Sequence, residues 1–329
     1  MIAVTGASGF VGHALCTELI ACGRQVRGVV RKAAPAAGGL PGNPPFPQAI
    51  VGEIGPETDW SAVLGDVDCV IHCAARAHVM REDSADPLAL YRRINVDGAR
   101  RLAEQAAAHG VRRLVYVSSV KVNGERTQPG APFAVSGSPR EGVADMNEHP
   151  EDAIGQTKQE AEQALREVAA RTGLEVVIVR PPLVYGPGVK GNLARLLKLL
   201  RRGLPLPLGA VDNRRSLVGL DNLVDFLMRC VTHPHVAGQA LLVSDGEDLS
   251  TPELLRRIAA AMHRPAHLIP VPVGWLRAAG RLSGKLAEID RLVDSLQVDI
   301  THTRNLMGWT PPVSVDVGLK RMVGHDSRV

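Results

Sequence analysis

The sequence is poor in aromatic residues and contains no long apolar run. Phe, Trp and Tyr make up 3% of the 329 residues, and the chain has three tyrosines. A membrane-spanning helix needs about 18 or more consecutive apolar residues, which no part of the chain provides. No secretion signal precedes the first apolar segment. We therefore expect a cytoplasmic protein without membrane insertion.

Cysteine is also scarce. The five cysteines, at positions 16, 22, 69, 73 and 230, are odd in number and lack the close-set pairs that bind zinc. Buried free thiols in a reducing compartment are the expected state. The sequence thus predicts neither a disulfide framework nor a metal site.

The chain has little excess charge of either sign. Its 38 basic and 34 acidic residues give a net charge of +4, which is too small and too dispersed to indicate nucleic-acid binding. A small anionic ligand is compatible with this balance. Since 329 residues are many for one compact core, we expect a molecule of two lobes.

Residues 5–12, Thr-Gly-Ala-Ser-Gly-Phe-Val-Gly, lie between an apolar strand pattern and an amphipathic helix pattern. Glycine allows a positive φ and close approach of a ligand, and the helix N-terminus offers unpaired N–H groups to a phosphate. A tight turn that only packs the helix on the strand would use the same glycines. We favour a dinucleotide cradle, whose predicted contacts are Gly6, Ser8, Gly9, Phe10, Val11 and Gly12.

The second predicted strand, residues 25–32, ends in Arg31 and Lys32. In dinucleotide-binding folds, an acidic residue about 20 positions after the glycines holds the ribose 2′-OH of NAD, whereas a cation there can hold the 2′-phosphate of NADP. No acid lies near Arg31, although these two cations could merely solvate the strand end. We therefore expect NADP(H) to be preferred over NAD(H).

Further apolar runs alternate with helical patterns, which is typical of an α/β fold. We predict a Rossmann, doubly wound parallel sheet with a smaller, mainly helical C-terminal substrate lobe. The cofactor domain is expected to comprise residues 1–180 plus 211–245, and the substrate domain residues 181–210 plus 246–329. The predicted strands after the second are residues 49–54, 68–75, 113–119, 175–180 and 239–244, and a helix is predicted over residues 88–108.

The glycine turn, Ser119, Lys158 and the stretches around Tyr185 and Arg215 together resemble the extended short-chain dehydrogenase/reductase family. That family contains the NAD-dependent epimerases and dehydratases of nucleotide sugars, and reductases. The resemblance covers essentially all 329 residues. It implies a nicotinamide cofactor and a UDP-sugar substrate.

The resemblance also implies roles for individual residues. Ser119 would hydrogen-bond the reacting sugar oxygen, and the segment 181–188 would form a rigid loop across the nicotinamide and the substrate. Asp221 and Asn222 are expected to cap the helix that follows them. The further cofactor contacts are Glu53, Ile54, Ala74, Ala75, Asn95, Ser118, Lys158 and Pro181. The further substrate contacts are Lys121, Tyr185, Asn192 and Arg215.

One catalytic position departs from the family. Its catalytic helix carries Tyr-x-x-x-Lys, a spacing that places both side chains on one helix face. Lys158 is present, but Ile154 stands where the tyrosine belongs and has no proton to exchange. The chain could be a disabled variant, a homologue that uses another acid, or a binding protein that has lost its chemistry. Tyr185 is the phenol that could substitute, but we favour the alternative, in which it packs in a loop wall.

One further departure and one closer resemblance limit the candidate reactions. Val120 and Lys121 occupy the place of the Asp-Glu pair of sugar 4,6-dehydratases, which argues against dehydration. Residues 119–124 and 213–222 resemble reductases of the UDP-N-acetylquinovosamine dehydrogenase type. We therefore expect NADPH-dependent reduction at C4 of a UDP-4-keto-6-deoxy-N-acetylhexosamine for surface polysaccharide synthesis, by a homodimer. A UDP-sugar 4-epimerase and a non-catalytic cofactor-binding or nucleotide-sugar-binding protein are the alternatives.

Overall fold

A computed structural model describes residues 1–32, 46–76, 86–135, 150 and 152–325. The Pro- and Gly-rich composition of residues 34–47 predicts a surface loop, most of which lies outside these ranges, and so does Glu151. Within them, no helix combines the length and the apolar character that crossing a bilayer requires.

The described strands and helices alternate along the chain, as an α/β fold requires. The strands are β1 (Ile2–Thr5), β2 (Val26–Val30), β3 (Gln48–Ile50), β4 (Cys69–His72), β5 (Arg113–Val117), β6 (Glu175–Arg180), β7 (Leu183–Tyr185), β8 (Arg215–Gly219), β9 (Ala240–Leu242) and β10 (Asp248–Leu249). The helices are α1 (Phe10–Ala21), α2 (Ser61–Leu64), α3 (Pro87–Arg92), α4 (Gly98–Ala108), α5 (Ala153–Thr172), α6 (Gly191–Arg201), α7 (Leu220–Thr232), α8 (Thr251–Ala261), α9 (Val273–Leu282), α10 (Leu286–Val293), α11 (Thr301–Met307) and α12 (Val315–His325).

Seven strands form one parallel sheet in the order β3-β2-β1-β4-β5-β6-β9. The strand order reverses beside β1, which pairs in parallel with β2 on one side and with β4 on the other. In open α/β sheets, ligands bind outside the carboxyl ends of the strands at such a reversal. The predicted Rossmann fold is confirmed, and it places the ends of β1, β4 and β5 at one edge.

Helices cover both faces of this sheet. Leu15 of α1 and Leu223 of α7 belong to the buried cluster on one face. Leu102 of α4 and Leu165 of α5 belong to the cluster on the other. The parallel strands between them read as continuous apolar runs because neither face of the sheet meets water.

The C-terminal part is mainly helical and has its own buried cluster, which joins α6, α8 and α12 through Leu197, Leu255 and Leu319. A second sheet, in the order β10-β8-β7, lies with it. The segment predicted as a rigid loop therefore contains a strand, because β7 pairs in parallel with β8. Residues 215–219, predicted within the cofactor domain, belong to this small sheet. The division into two domains remains a prediction.

Three other local expectations differ from the structure. β3 ends at Ile50, so the predicted strand 49–54 stops before its acidic exit. The helix predicted over 88–108 is interrupted by a π-helical turn at Arg93–Asp97. Asn222 lies inside the first turn of α7, where its amide contacts Asp245 and Val313 instead of capping the helix.

Candidate active site

The glycine turn between β1 and α1 has no room for side chains at two positions. Gly6 has a φ of +68°, and a Cβ there would stand 2.9 Å from the backbone nitrogen of Ala74. A Cβ on Gly12 would stand 2.3 Å from the carbonyl oxygen of Gly6. The N–H of Gly9 closes the turn on that same oxygen at 2.8 Å. The first-turn amides of α1 are left to face an anion, so the turn fits a dinucleotide phosphate.

The other predicted contacts in the turn are open to a ligand. Ser8 is exposed, and Phe10 and Val11 are partly exposed. Ala74, against Gly6, is partly exposed, and Ala75 beyond it is exposed. These small residues leave the space beside the turn unfilled.

A buried hydrogen-bonded pair ties β1 to β4 just below the turn. Thr5 Oγ1 lies 2.7 Å from His72 Nδ1 and accepts from the N–H of Ala74 at 3.2 Å. Burial, with a smaller contribution from the charge of Lys158, lowers the pKa of His72 to about 3. The imidazole is therefore neutral at physiological pH and serves as structure.

Asn95 braces the backbone that follows β4. Its side-chain oxygen accepts from the N–H of Arg76 at 2.8 Å, and its amide donates to the Arg76 carbonyl at 3.1 Å. The same amide donates to the hydroxyl of Thr157 on α5 at 3.2 Å. The π-helical turn that carries Asn95 thus connects the loop beside the cofactor turn to the helix that carries Lys158.

Ser119 and the first turn of α5 meet at the carboxyl edge of β5. The half-buried Ser119 hydroxyl accepts from the N–H of Lys121 at 3.2 Å. Asp152 begins α5 by accepting from the N–H of Gly155 at 2.8 Å. A Cβ on Gly155 would stand 2.6 Å from the Lys121 carbonyl oxygen, so the helix packs directly on the turn after Ser119. Ile154, next to this contact, is partly exposed.

Lys158 lies one turn beyond Ile154 and is 5% exposed. Its ammonium donates to the Val117 carbonyl at 2.7 Å and stands 4.5 Å from the ring centroid of Tyr116. Burial lowers the pKa of Lys158 to about 8, while the charges of Cys73 and Glu162 oppose that shift. The structure thus holds a cation at the end of β5, on the helix of Ile154.

A buried ion pair, which no pattern described above predicts, lies on the next turn of α5. Glu162 is fully buried and accepts from Arg180 at 2.9 and 2.5 Å. The hydroxyl of Ser118 also donates to Glu162, at 2.5 Å, so this predicted cofactor contact is engaged inside the protein. A charged residue on the apolar face of α5, beside Ala161 and Leu165, was the signal that could have revealed it.

The hydroxyl of Tyr185 is engaged inside the protein. Tyr185 is 1% exposed, and its hydroxyl donates to Asp245 at 2.7 Å. Burial, followed by the negative charge of Asp245, raises the pKa of Tyr185 far above its usual range. A Cβ on Gly318 of α12 would stand 2.9 Å from that hydroxyl. The phenol packs against the C-terminal helix, which argues against its predicted contact with substrate.

The other two tyrosines are buried as well. Tyr91 is 8% exposed and Tyr116 1% exposed. Burial raises the pKa of Tyr116 well above its ordinary value, with a further contribution from Glu162. All three tyrosines, which lie within the described residues, are therefore at most 8% exposed.

The predicted substrate contacts lie on three different elements. Lys121 is ion-paired with Asp152 and, at 2.7 Å, with Glu125. Arg215 begins β8 and donates to the Asp294 carbonyl at 2.9 Å. Burial lowers the pKa of Arg215, opposed by the charges of Asp294 and Glu125. Asn192 is partly exposed in the first turn of α6.

The remaining predicted cofactor contacts line the other end of the sheet edge. Arg31 is exposed directly after β2. Glu53 and Ile54 line a half-open cavity of about 270 Å³, together with Leu90 and Arg93. This cavity lies beyond the end of β3 and can accept the adenine end of a dinucleotide.

Pro181 follows β6, and its carbonyl accepts from the N–H of Val120 at 3.0 Å. It therefore joins the end of β6 to the turn after Ser119. Most predicted cofactor contacts thus follow the carboxyl ends of the strands of the large sheet, whereas Tyr185, Asn192 and Arg215 lie on β7, α6 and β8.

Known proteins with similar sequences and structures share this organisation. The model of the NAD dependent epimerase/dehydratase family matches residues 2–243. A UDP-glucose 4-epimerase of Vibrio cholerae is 44% identical over 322 residues, which are 97% of this chain and 93% of that protein. A 2-alkyl-3-oxoalkanoate reductase of Stenotrophomonas maltophilia is 31% identical over 347 residues, 98% of each chain.

Solved structures extend the likeness to the fold. UDP-glucuronic acid 4-epimerase from Bacillus cereus, solved in complex with NAD, matches with a TM-score of 0.75 at 20% identity. The match covers 99% of this chain and 96% of that one. The large sheet, its helices and the C-terminal region therefore follow one shared architecture.

Proposed function

The chain belongs to the NAD dependent epimerase/dehydratase family, and on that premise we propose that it acts at C4 of a UDP-sugar with a bound nicotinamide dinucleotide. The turn at Gly6 and Gly12 supports such a cofactor, because a Cβ at either position would clash with the surrounding backbone, and only glycine allows this tight turn in front of the N-terminus of α1. When bound, the nicotinamide exchanges a hydride with the sugar carbon. The first turn of α1 would hold its phosphates and Lys158 its ribose.

UDP-sugar 4-epimerisation is the activity that we put first. One observation carries this choice, namely the UDP-glucose 4-epimerase that is 44% identical over nearly the whole chain. This reverses the order expected from the sequence, which put a C4 reductase of the quinovosamine type before an epimerase.

NADPH-dependent reduction of a UDP-4-keto-6-deoxy-N-acetylhexosamine is the second candidate. Arg31, exposed where NAD enzymes carry an acid, favours it, because an epimerase retains its cofactor while a reductase exchanges NADPH. A role in surface polysaccharide synthesis, a homodimeric state and a cytoplasmic location belong to the same proposal. Light scattering of the purified chain tests the dimer.

The residues at the site would orient the substrate, but they lack the phenol that donates a proton in the family. Ser119 would orient the sugar oxygen, and Lys158 would supply positive charge beside it. Ile154 offers no proton where the family has a phenol, and the three tyrosines are buried. Because a positioned general acid or base contributes about 10²–10⁴-fold, turnover of this chain should be slow while ligand binding is retained.

The decisive experiment restores the phenol. Ile154→Tyr should raise turnover by at least ~10²-fold, whereas Ile154→Phe, with the same ring and no hydroxyl, should not. Both variants and the parent chain are assayed for interconversion of UDP-glucose and UDP-galactose, and separately for NADPH oxidation with a 4-keto sugar nucleotide. The substrate that responds selects between epimerase and reductase. Equal rates for the Tyr and Phe variants, with UDP-sugar still bound, would instead indicate a binding protein.

A further inference from the structure

Helix α9 buries one face and exposes the other. On the buried face, Leu276 is 7% exposed, and a Cβ on Gly280 would stand 3.0 Å from Ile289 of α10. On the opposite face, Trp275 is 75% exposed and Leu282 is 92% exposed. Single exposed apolar residues are ordinary, but a large aromatic and an aliphatic residue on one short helix form a patch.

The two side chains point in nearly the same direction. Trp275 and Leu282 are seven residues apart, which is two helical turns, about 10 Å along the axis and about 20° around it. Ala278 and Ala279, between them, are also exposed. We call this stripe, made of Trp275, Ala278, Ala279 and Leu282, the α9 face.

The end of the α9 face at Leu282 is basic. Earlier on the helix, Arg277 is neutralised by Asp290 and Asp294. Arg281 and Lys285 are exposed, and within the part of the chain that the structure describes no ion pair neutralises either of them. Apolar side chains flanked by unneutralised cations are typical of helices that lie at the surface of a membrane.

We propose that the α9 face docks peripherally on an anionic phospholipid surface, with Trp275 and Leu282 entering the headgroup region and Arg281 and Lys285 pairing with lipid phosphates. The charge pattern favours this occupant over a second copy of the chain. A two-fold dimer through the α9 face would bring the same cations of both copies together. This docking needs no membrane-spanning helix and is independent of the proposed reaction.

The tryptophan content makes the docking directly observable. The other two tryptophans, Trp60 and Trp309, are fully buried at 0% exposure. A blue shift of tryptophan emission on adding vesicles therefore reports on Trp275. The full-length chain is titrated with vesicles of phosphatidylglycerol and phosphatidylcholine, and with vesicles of phosphatidylcholine alone. We expect the blue shift and co-sedimentation with the anionic vesicles, and we expect both to weaken as salt is added.

Three variants separate the contributions. Arg281→Gln/Lys285→Gln should lower the partition constant for anionic vesicles about 25-fold, because each cation near the surface contributes about fivefold. Leu282→Ser should lower it about tenfold or more through lost apolar burial. Val317→Ser, at a residue of α12 that is 41% exposed, should leave it unchanged. Thermal melts of all three confirm that the fold is kept.

Four outcomes would overturn the proposal. They are no binding to anionic vesicles, equal binding to neutral vesicles, equal loss in the Val317→Ser control, and binding that survives Arg281→Gln/Lys285→Gln. A dimer that Leu282→Ser dissociates in the absence of lipid would assign the α9 face to a second copy. Saturable binding of an acidic protein without vesicle binding would assign it to a protein partner.

Discussion

Replacing Glu162 with glutamine should destabilise the protein far more than the same change at Glu160, two residues earlier on α5. Glu162 is 0% exposed, its partner Arg180 is 3% exposed, and the two are joined at 2.9 and 2.5 Å. Removing one partner of a buried ion pair costs about 3–5 kcal/mol, because the remaining charge loses its counter-ion. Glutamine keeps one oxygen that can accept from Ser118, but its NH2 group would face the guanidinium of Arg180, which adds to the cost in the same direction.

Glu160 provides the matched control on the same helix. It pairs with Arg92 at 2.8 Å, but the two side chains are 36% and 48% exposed. An exposed ion pair contributes about 0–1 kcal/mol, since water and salt screen it. The structure therefore predicts a difference of about 2–5 kcal/mol between two chemically identical substitutions.

Urea unfolding at neutral pH, followed by circular dichroism, measures both losses. A third variant, Glu162→Met/Arg180→Met, removes both charges and should recover much of the loss, because apolar replacement of a whole buried pair is often neutral. The recovery of stability should be incomplete, because the buried hydroxyl of Ser118 loses the Glu162 carboxylate as its acceptor. Equal losses for Glu160→Gln and Glu162→Gln would refute the assignment of this pair as a buried support of the site.

Three other predictions concern ligands and pH. Arg31→Ala should lower the ratio of NADPH affinity to NADH affinity by about 10- to 100-fold, which is the scale of one hydrogen bond to a charged group. If cofactor titrations show an unchanged ratio, Arg31 does not bind the 2′-phosphate. Arg215→Ala should weaken UDP binding, measured by calorimetry, by ~1.5–3 kcal/mol. The control variant is Arg214→Ala, at the exposed neighbouring residue. Equal effects of the two variants would contradict a role for Arg215 at the diphosphate. Because burial lowers the pKa of Lys158 from 10.5 to about 8, the folded protein releases this proton before the unfolded chain does. Stability from this group should therefore rise between pH 8 and 10.5, and Lys158→Met should remove that rise in urea unfolding.

Patterns within short segments of the sequence determined the strands, the glycine turn and the helix faces of this protein. The apolar runs of the parallel strands and the glycine spacing at residues 5–12 predicted the sheet and the tight turn between β1 and α1. Ile154 and Lys158 share one helix face because they are four residues apart, and the structure keeps that relation. Such features follow from backbone periodicity and glycine stereochemistry, which depend on neighbours along the chain.

Contacts between segments that are distant in the sequence decided the burial and the hydrogen-bond partners of individual side chains. Tyr185 lies in a segment that reads as a loop, and its burial depends on Asp245 and on Gly318 of α12. β7 exists because β8 supplies its partner. The placement of Ser118 against Glu162, and of Lys158 over Tyr116, requires α5 to pack on β5 in one particular register. Local periodicity predicts which face of an element is buried, but tertiary packing decides the partner of a buried polar group. That packing therefore decided that Ser118 and Tyr185 form hydrogen bonds inside the protein.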